Sequence, residues 1–87
     1  MSVKTKDEIL LRVTDVLREV LMQPALQVTA HSTADQVAGW DSLTHMTIIS
    51  RIEQAFGVEF RFQEIIALEN VGDIIERMSE KLGLDAV

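Results

Sequence analysis

Cysteine is absent from the 87 residues of the chain. This absence excludes a disulfide framework, a thiolate metal site and a cysteine nucleophile. Basic residues are scarce too, since 8 Lys and Arg against 14 Asp and Glu leave a formal net charge of −6. A nucleic-acid binder needs a basic face to neutralise phosphates, so we expect no nucleic-acid partner. An acidic surface favours basic partner proteins or simply promotes solubility, and composition does not separate these two interpretations.

Long apolar runs are lacking as well. The first seven residues, MSVKTKD, do not contain the apolar stretch of a signal peptide, and no segment is long enough to span a bilayer. We therefore expect a soluble, cytoplasmic protein without membrane insertion. A chain of 87 residues with 47% hydrophobic and 25% charged residues predicts one globular domain over 1–87. Such a domain has little mass with which to wall off a deep catalytic pocket.

Apolar residues recur at helical spacing in three long segments. The first predicted helix runs from Lys6 to Met22, after a Thr5–Glu8 capping-box spacing and before the only proline, Pro24. The second runs from Ser42 to Phe56, after Asp41 and before Gly57. The third long helix follows the N-cap Asn70 and closes at Gly83.

The two segments between these helices are less regular. From Gln23 to Asp41 the periodicity disappears, which predicts a long loop, and such loops in small domains tend to be functional. Leu26, Val28 and Val37 could hold this loop to the core. Residues 58–62 alternate as a strand would, but an isolated two-strand pair with residues 26–29 would be marginal. We expect a connector that leads into a short helix from Gln63 to Leu68, and hence an all-α four-helix bundle with three long helices, one short helix and a long loop.

Ser42 stands where the long loop meets the second helix, in the segment Gly39-Trp40-Asp41-Ser42-Leu43. A serine at a helix start is exposed, and the amide groups and partial positive charge of that end suit an esterified phosphate. Without a neighbouring base it is a poor nucleophile, but another enzyme can modify it. On these five residues alone, an ordinary helix cap explains the serine better.

The rest of the chain changes that balance. The triplet Asp41-Ser42-Leu43, the block IEQAFGV at 52–58 and the segment VGDII at 71–75 resemble the acyl and peptidyl carrier protein family over nearly the whole length. The resemblance implies that Ser42 carries 4′-phosphopantetheine, transferred from coenzyme A by a separate phosphopantetheinyl transferase that uses Mg²⁺. It also implies that Asp41 takes part in contacts with the transferase and its metal ion. It implies a non-catalytic carrier that an acyl- or aminoacyl-loading enzyme charges and that a downstream synthase or transferase discharges. Because the sequence has almost nothing beyond the four predicted helices, we expect a free-standing, monomeric carrier, although an excised domain would look the same.

The second helix departs from the pattern of primary fatty-acid carriers, which place an acidic residue directly after the Asp-Ser-Leu triplet. Here Thr44 and His45 follow, and the only charged residues further along are Arg51 and Glu53. Together with Trp40, this resembles carriers of specialised pathways for polyketides, nonribosomal peptides or surface polymers. We expect partner contacts from the set Trp40, Leu43, His45, Met46 and Arg51.

Several residues keep a second interpretation. Trp40 could shield the phosphate or simply anchor the loop, and His45 could touch the arm or merely face solvent. The apolar residues Met46, Ile49, Phe56, Ile74 and Met78 could line a space for an acyl chain, although ordinary core packing explains them better.

The sequence shows no glycine-rich phosphate loop, no metal-ligand cluster and no serine–histidine–acid set, so it does not favour an enzyme. His31 and His45 lack a third ligand, so no metal is expected. A helical interaction domain without a prosthetic group is the alternative function, and the cargo stays open.

Overall fold

Four α-helices make up most of residues 5–83, the part of the chain that the computed structural model describes. They are α1 (Lys6–Val20), α2 (Ser42–Phe56), α3 (Phe62–Ile66) and α4 (Val71–Leu82), and a 3₁₀ turn (Ala34–Gln36) lies in the loop between α1 and α2. The predicted all-α architecture is confirmed. The domain predicted over 1–87 also includes 1–4 and 84–87, which lie outside the described residues. Within 5–83, no helix is long and apolar enough to cross a membrane.

The helix boundaries follow from the polar groups at the ends. Thr5 Oγ1 accepts the amide of Glu8 at 3.2 Å at the start of α1, and Asn70 Oδ1 accepts the amide of Asp73 at 2.8 Å at the start of α4. Gly57 ends α2 in the left-handed conformation, with φ 69°. Glycine adopts this conformation without a Cβ penalty, so the helix stops where the sequence predicts.

Helix α1 is shorter than predicted, because its closure begins before Met22. The amide of Gln23 donates a hydrogen bond to the carbonyl of Arg18 at 2.9 Å. The amide of Met22 donates one to the carbonyl of Glu19 at 3.3 Å. This crossed pair of bonds is the Schellman closure, which requires a left-handed residue after the C-cap. Met22 takes that role with φ 56°, so the predicted end at Met22 is wrong by two residues.

Helix α3 also differs from the prediction, since it begins and ends earlier than the segment Gln63 to Leu68. The carboxylate of Glu64 accepts the amide of Arg61 at 2.8 Å, which fixes the helix start at Phe62. At the other end, the amides of Ala67 and Leu68 make bonds to carbonyls three residues back, at 3.3 Å each, so the last turn tightens. Residues 58–61 lead into α3 without strand pairing.

The core lies between α1, α2 and α4, with α1 packed against the other two. Each long helix turns an aliphatic stripe inward, and the three stripes are at most 6% exposed: Ile9, Val13 and Leu17 from α1; Ile48, Ile49 and Ile52 from α2; Val71, Ile74, Ile75 and Met78 from α4. Burying each such side chain stabilises the fold by about 1.5–3 kcal/mol. Val37 and Trp40 from the long loop and Ile65 from α3 join the same cluster.

The long loop is tied to the start of α4 by two backbone hydrogen bonds. The amide of Val71 donates to the carbonyl of Ser32 at 2.9 Å, and the amide of Gly72 donates to the carbonyl of Ala30 at 2.8 Å. A helix start leaves its first amides without partners inside the helix, and the loop supplies them. A Cβ at position 72 would lie 2.7 Å from the carbonyl oxygen of Ala30, so the close approach requires glycine.

Gly72→Ala tests this contact. We expect the free energy of unfolding to fall by about 1–3 kcal/mol, as for overpacking a tight contact, although alanine favours a helix interior by about 1 kcal/mol over glycine. Urea denaturation followed by helical circular dichroism measures the change. Ser50→Ala, at an exposed position of α2, is the control for helix propensity alone. A Gly72→Ala protein as stable as the wild type would contradict the contact.

Candidate functional site

A groove opens beside Ser42 between the start of α2, the 3₁₀ turn and α3, and we call it the Ser42 groove. Its volume is about 780 Å³. Most of its wall is apolar, with carboxylates at the rim; it is lined by Thr33, Ala34, Asp35, Trp40, Asp41, Ser42, His45, Met46, Phe62, Ile66, Leu68 and Glu69. A concave, mainly apolar site of this size with a few polar groups is typical of ligand binding.

Asp41 caps α2 and thereby fixes the position of the groove's reactive edge. Its Oδ1 accepts the amides of Leu43 and Thr44, both at 2.9 Å. In return, Thr44 Oγ1 accepts a hydrogen bond from the amide of Asp41 at 2.8 Å, and it donates one to the carbonyl of Gly39 at 2.7 Å. This is a capping box, whose Asp-x-x-Thr spacing is visible in the sequence although we predicted no role for Thr44.

The same hydrogen bonds act on the acidity of Asp41. The amide of Thr44, followed by the amide of Leu43 and the Thr44 hydroxyl, holds the pKa of the Asp41 carboxyl below its usual 3.8, while partial desolvation opposes them. The carboxylate therefore occupies two of the amides that we expected to face a phosphate on Ser42. The negative charge of Asp41 already balances the partial positive charge of the helix start, before any phosphate ester is attached to Ser42.

Ser42 is the first residue of α2 and is exposed on the groove's edge. The amides of Leu43 and Thr44 donate the cap hydrogen bonds to Asp41, and the side chain of Ser42 takes no part in them. An exposed hydroxyl at a fixed position, beside an apolar groove, fits a covalently attached arm.

Trp40 and His45 form one wall of the groove. Trp40 is only 6% exposed, so it anchors the long loop in the core and presents little surface to a partner. Its Nε1 donates to Nδ1 of His45 at 3.0 Å, and the two rings stack with centroids 6.0 Å apart. Nε2 of His45 lies 3.0 Å from the carbonyl oxygen of Ile65 in α3. Both ring nitrogens of His45 are therefore hydrogen-bonded within the protein, one to Trp40 and the other to the backbone of α3.

Four apolar side chains around the groove are exposed to solvent. Leu43 is 82% and Met46 43% exposed on α2, and Phe62 and Ile66 are 66% and 63% exposed on α3. Phe62 and Ile66 were not among the predicted site residues. Their spacing of four places both on one face of a helix, but a five-residue helix is too short for that signal to stand out.

Of the residues predicted as possible acyl-chain lining, only Met46 lines the groove. Ile49, Ile74 and Met78 are at most 1% exposed and belong to the core, while Phe56 packs against it from the edge. The ordinary packing interpretation holds for these four. The groove lies between α2 and α3.

Arg51 lies away from the groove, roughly 13 Å beyond Ser42 along α2 at the helical rise per residue. Its Nη1 bonds Oε1 of Glu19 in α1 at 2.6 Å. The remaining exposed positions of this helix face, Thr47, Ser50 and Gln54, carry no charge. Within residues 5–83, no group of three or more His, Cys, Asp or Glu could hold a metal ion.

The chain is similar to a known family and to known proteins. The family model described as "Phosphopantetheine attachment site" matches residues 11–78. An acyl carrier protein of Exiguobacterium sp. is 28% identical over 78 residues, covering 90% of this chain and 99% of the relative. An acyl carrier protein of Saccharopolyspora erythraea is 31% identical over 71 residues, covering 82% of this chain and 75% of the relative.

A solved structure is similar as well. The solution NMR structure of the holo acyl carrier protein from Geobacter metallireducens superposes with a TM-score of 0.78 and 30% sequence identity. The match covers 88% of each chain.

The acidity of Asp41 leads to a prediction about stability and pH. Because its pKa is lower in the folded chain than the usual 3.8, the cap stabilises the fold fully above the unfolded value. That contribution is lost as the pH falls from about 5 through the folded pKa. Asp41→Asn keeps a capping oxygen but does not titrate, so we expect its stability to decline less than that of the wild type between about pH 7 and pH 3.

Urea denaturation at the two pH values measures the difference. Asp15→Asn, which removes a carboxyl from α1 far from the cap, is the control. Equal acid sensitivity in Asp41→Asn and the wild type would contradict the lowered pKa.

Proposed function

The chain belongs to the acyl carrier protein family, whose members bear a phosphopantetheine attachment site, and from that premise we propose that Ser42 is the residue that carries the arm. The observation that supports this assignment is the exposed hydroxyl of Ser42 at the first position of α2, beside a groove of about 780 Å³. Asp41 fixes this position without engaging the hydroxyl.

As a member of this family, the protein is a carrier and not a catalyst, with a covalently attached 4′-phosphopantetheine. Family membership implies interaction with a phosphopantetheinyl transferase and with synthase enzymes. The group supplies the terminal thiol on which acyl cargo is held as a thioester, a chemistry that the cysteine-free chain lacks. The chain's own residues provide the attachment point, the apolar wall and the surface that partners meet.

We further propose that partners contact the protein through the end of α2 that bears Ser42. Leu43 and Met46 stand exposed next to the attachment point, and large exposed apolar side chains are typical of interaction sites. The next exposed positions of this face, Thr47, Ser50 and Gln54, are uncharged. A partner that fits such a surface offers an apolar contact with a neutral polar rim, instead of a basic patch. Asp41 contacts the transferase in this arrangement.

The neutral face of α2 also supports our proposal that the pathway is a specialised one. A carrier that is docked through a strongly acidic helix has charged residues along it, whereas here the flanking Arg51 is paired with Glu19. We propose polyketide, nonribosomal-peptide or surface-polymer assembly as the class of pathway, with aminoacyl cargo as open as acyl cargo. We also propose that the carrier is cytoplasmic and acts as a monomer. Light scattering of the purified protein measures its molar mass and so tests the monomeric state.

The attachment site is tested by intact mass. The protein is incubated with coenzyme A, Mg²⁺ and a permissive phosphopantetheinyl transferase. We expect one phosphopantetheine adduct on the wild type and none on Ser42→Ala, because the substitution removes the hydroxyl to which the arm would be esterified. Ser50→Ala, which removes a second exposed serine of α2, is the control and should retain the adduct. An adduct that persists in Ser42→Ala would place the arm elsewhere.

The docking surface is tested with the same transferase. Leu43→Ser removes an exposed apolar side chain beside the attachment point, and we expect kcat/KM to fall about tenfold, as for a central interface contact. For Arg51→Gln we expect a smaller reduction, about twofold, since exposed charged contacts contribute little. Gln54→Ala is the control on the same helix. If Leu43→Ser reacts as fast as the wild type, the apolar end of α2 is not the contact surface. If Arg51→Gln reacts as fast as the wild type, the contact surface does not reach Arg51.

A further inference from the structure

The hydrogen-bond partners of His45 select one tautomer of its neutral ring. An indole Nε1–H can only donate, so Nδ1 of His45 accepts the bond from Trp40 with a lone pair. The proton of the neutral imidazole is therefore on Nε2, where the acceptor is the carbonyl oxygen of Ile65 at 3.0 Å. One tautomer satisfies both partners. A second proton on Nδ1 would face the indole N–H, and the bond to Trp40 would be lost.

These two bonds connect the three elements that form the groove. Trp40 ends the long loop, His45 lies in the first turns of α2, and Ile65 belongs to α3. A bridge made of these three residues, which we call the His45 bridge, therefore crosses from the loop to α3. Both Trp40 and His45 also line the Ser42 groove, so the bridge is part of its wall.

Helix α3 depends on few contacts for its position, because it has only five residues. On the side of α4, Glu64 bonds Lys81 at 3.0 Å and lies 3.5 Å from Arg77. On the side of α2, the hydrogen bond from His45 holds the backbone at Ile65. Phe62 and Ile66, the exposed apolar residues on α3, are therefore held over the groove by this bond together with the burial of Ile65 and the ion pairs of Glu64.

We propose that His45 is a positioning residue: through its two hydrogen bonds it holds α3 and Trp40 as walls of the groove and so determines how far the groove shelters a thioester carried on Ser42. The proposal rests on the attachment at Ser42 proposed above. The charged groups that share the groove with His45 are Asp35 from the 3₁₀ turn, Asp41 from the cap and Glu69 from the connector before α4. Glu64 of α3 is engaged by Lys81 and Arg77 on the far side.

Two substitutions separate the bridge from a merely structural role. His45→Phe keeps a ring but loses both hydrogen bonds. His45→Gln can place an amide N–H near the position of Nε2 and an acceptor oxygen toward Trp40, and it does not titrate. Val13→Ala, which removes volume from the core on α1, is the control for lost stability, because Val13 is fully buried and does not line the groove.

The first readout uses the apo protein and the only tryptophan of the chain. The indole Nε1–H resonance of Trp40 and its fluorescence are compared between the wild type, His45→Phe and His45→Gln at one pH. We expect the indole resonance to shift in His45→Phe, which lacks the acceptor that Nδ1 of His45 provides, and to stay close to the wild-type position in His45→Gln. An indole resonance in His45→Phe that matches that of the wild type would overturn the bridge.

The second readout measures shelter directly. An octanoyl-phosphopantetheine arm is transferred from octanoyl-coenzyme A by a permissive transferase, and hydrolysis of the thioester is followed by mass at constant, mildly basic pH. We expect hydrolysis about threefold faster in His45→Phe than in the wild type, corresponding to loss of a hydrogen bond at the groove wall. His45→Gln and Val13→Ala should hydrolyse at nearly the wild-type rate.

Equal hydrolysis in His45→Phe and the wild type, or an increase in Val13→Ala as large as that in His45→Phe, would overturn the positioning role. The adduct mass distinguishes this failure from that of the attachment site. If the arm is transferred to Ser42 and hydrolysis does not respond to position 45, only the bridge is refuted. If no arm is transferred, the proposed attachment fails, and the indole resonance of the variants still tests the bridge in the apo protein.

Discussion

The hydrogen bonds between the Asp41 carboxylate and the first turn of α2 determine where Ser42 lies. A helix start has amides without partners, and Asp41 satisfies those of Leu43 and Thr44 with one oxygen. Because the chain leaves this cap directly into the helix, Ser42 becomes its first residue and remains on the surface. Asp41 thus places the hydroxyl without competing for it, and the other parts of the site are arranged around this fixed point.

The remaining walls of the groove are held by the long loop. Trp40 is buried at its end, and the carbonyls of Ala30 and Ser32 accept the first amides of α4. These bonds give the loop a defined path although it has little regular structure. The loop therefore links the start of α2, which bears Ser42, to the start of α4. In a domain this small, the loop contributes to the core and to the site at once.

The sequence was sufficient for the parts of the fold that depend on local signals. The stripes of α1, α2 and α4, the cap at Asn70 and the stop at Gly57 lie where the spacing places them. The errors occur where one residue takes a role against its usual preference, as Met22 does in the left-handed position, or where a segment is too short for periodicity, as in α3. The groove between α2 and α3 could not be predicted either, because it depends on how Phe62 and Ile66 face Met46 across the fold. For His45 the pattern did not indicate a bridge, since its partners are an indole and a backbone carbonyl twenty residues away.

The two oxygens of Asp41 allow one residue to serve both the fold and a partner. The amides of Leu43 and Thr44 and the hydroxyl of Thr44 all bond Oδ1. Within the described part of the chain, no hydrogen bond is made to Oδ2, and Asp41 is exposed beside Ser42. The capping bonds keep the carboxylate ionised, because they lower its pKa. A transferase that approaches Ser42 therefore meets a fixed negative oxygen whose orientation was set by folding, and this is the physical reason why the acidic residue directly before the serine suits the contact proposed for it.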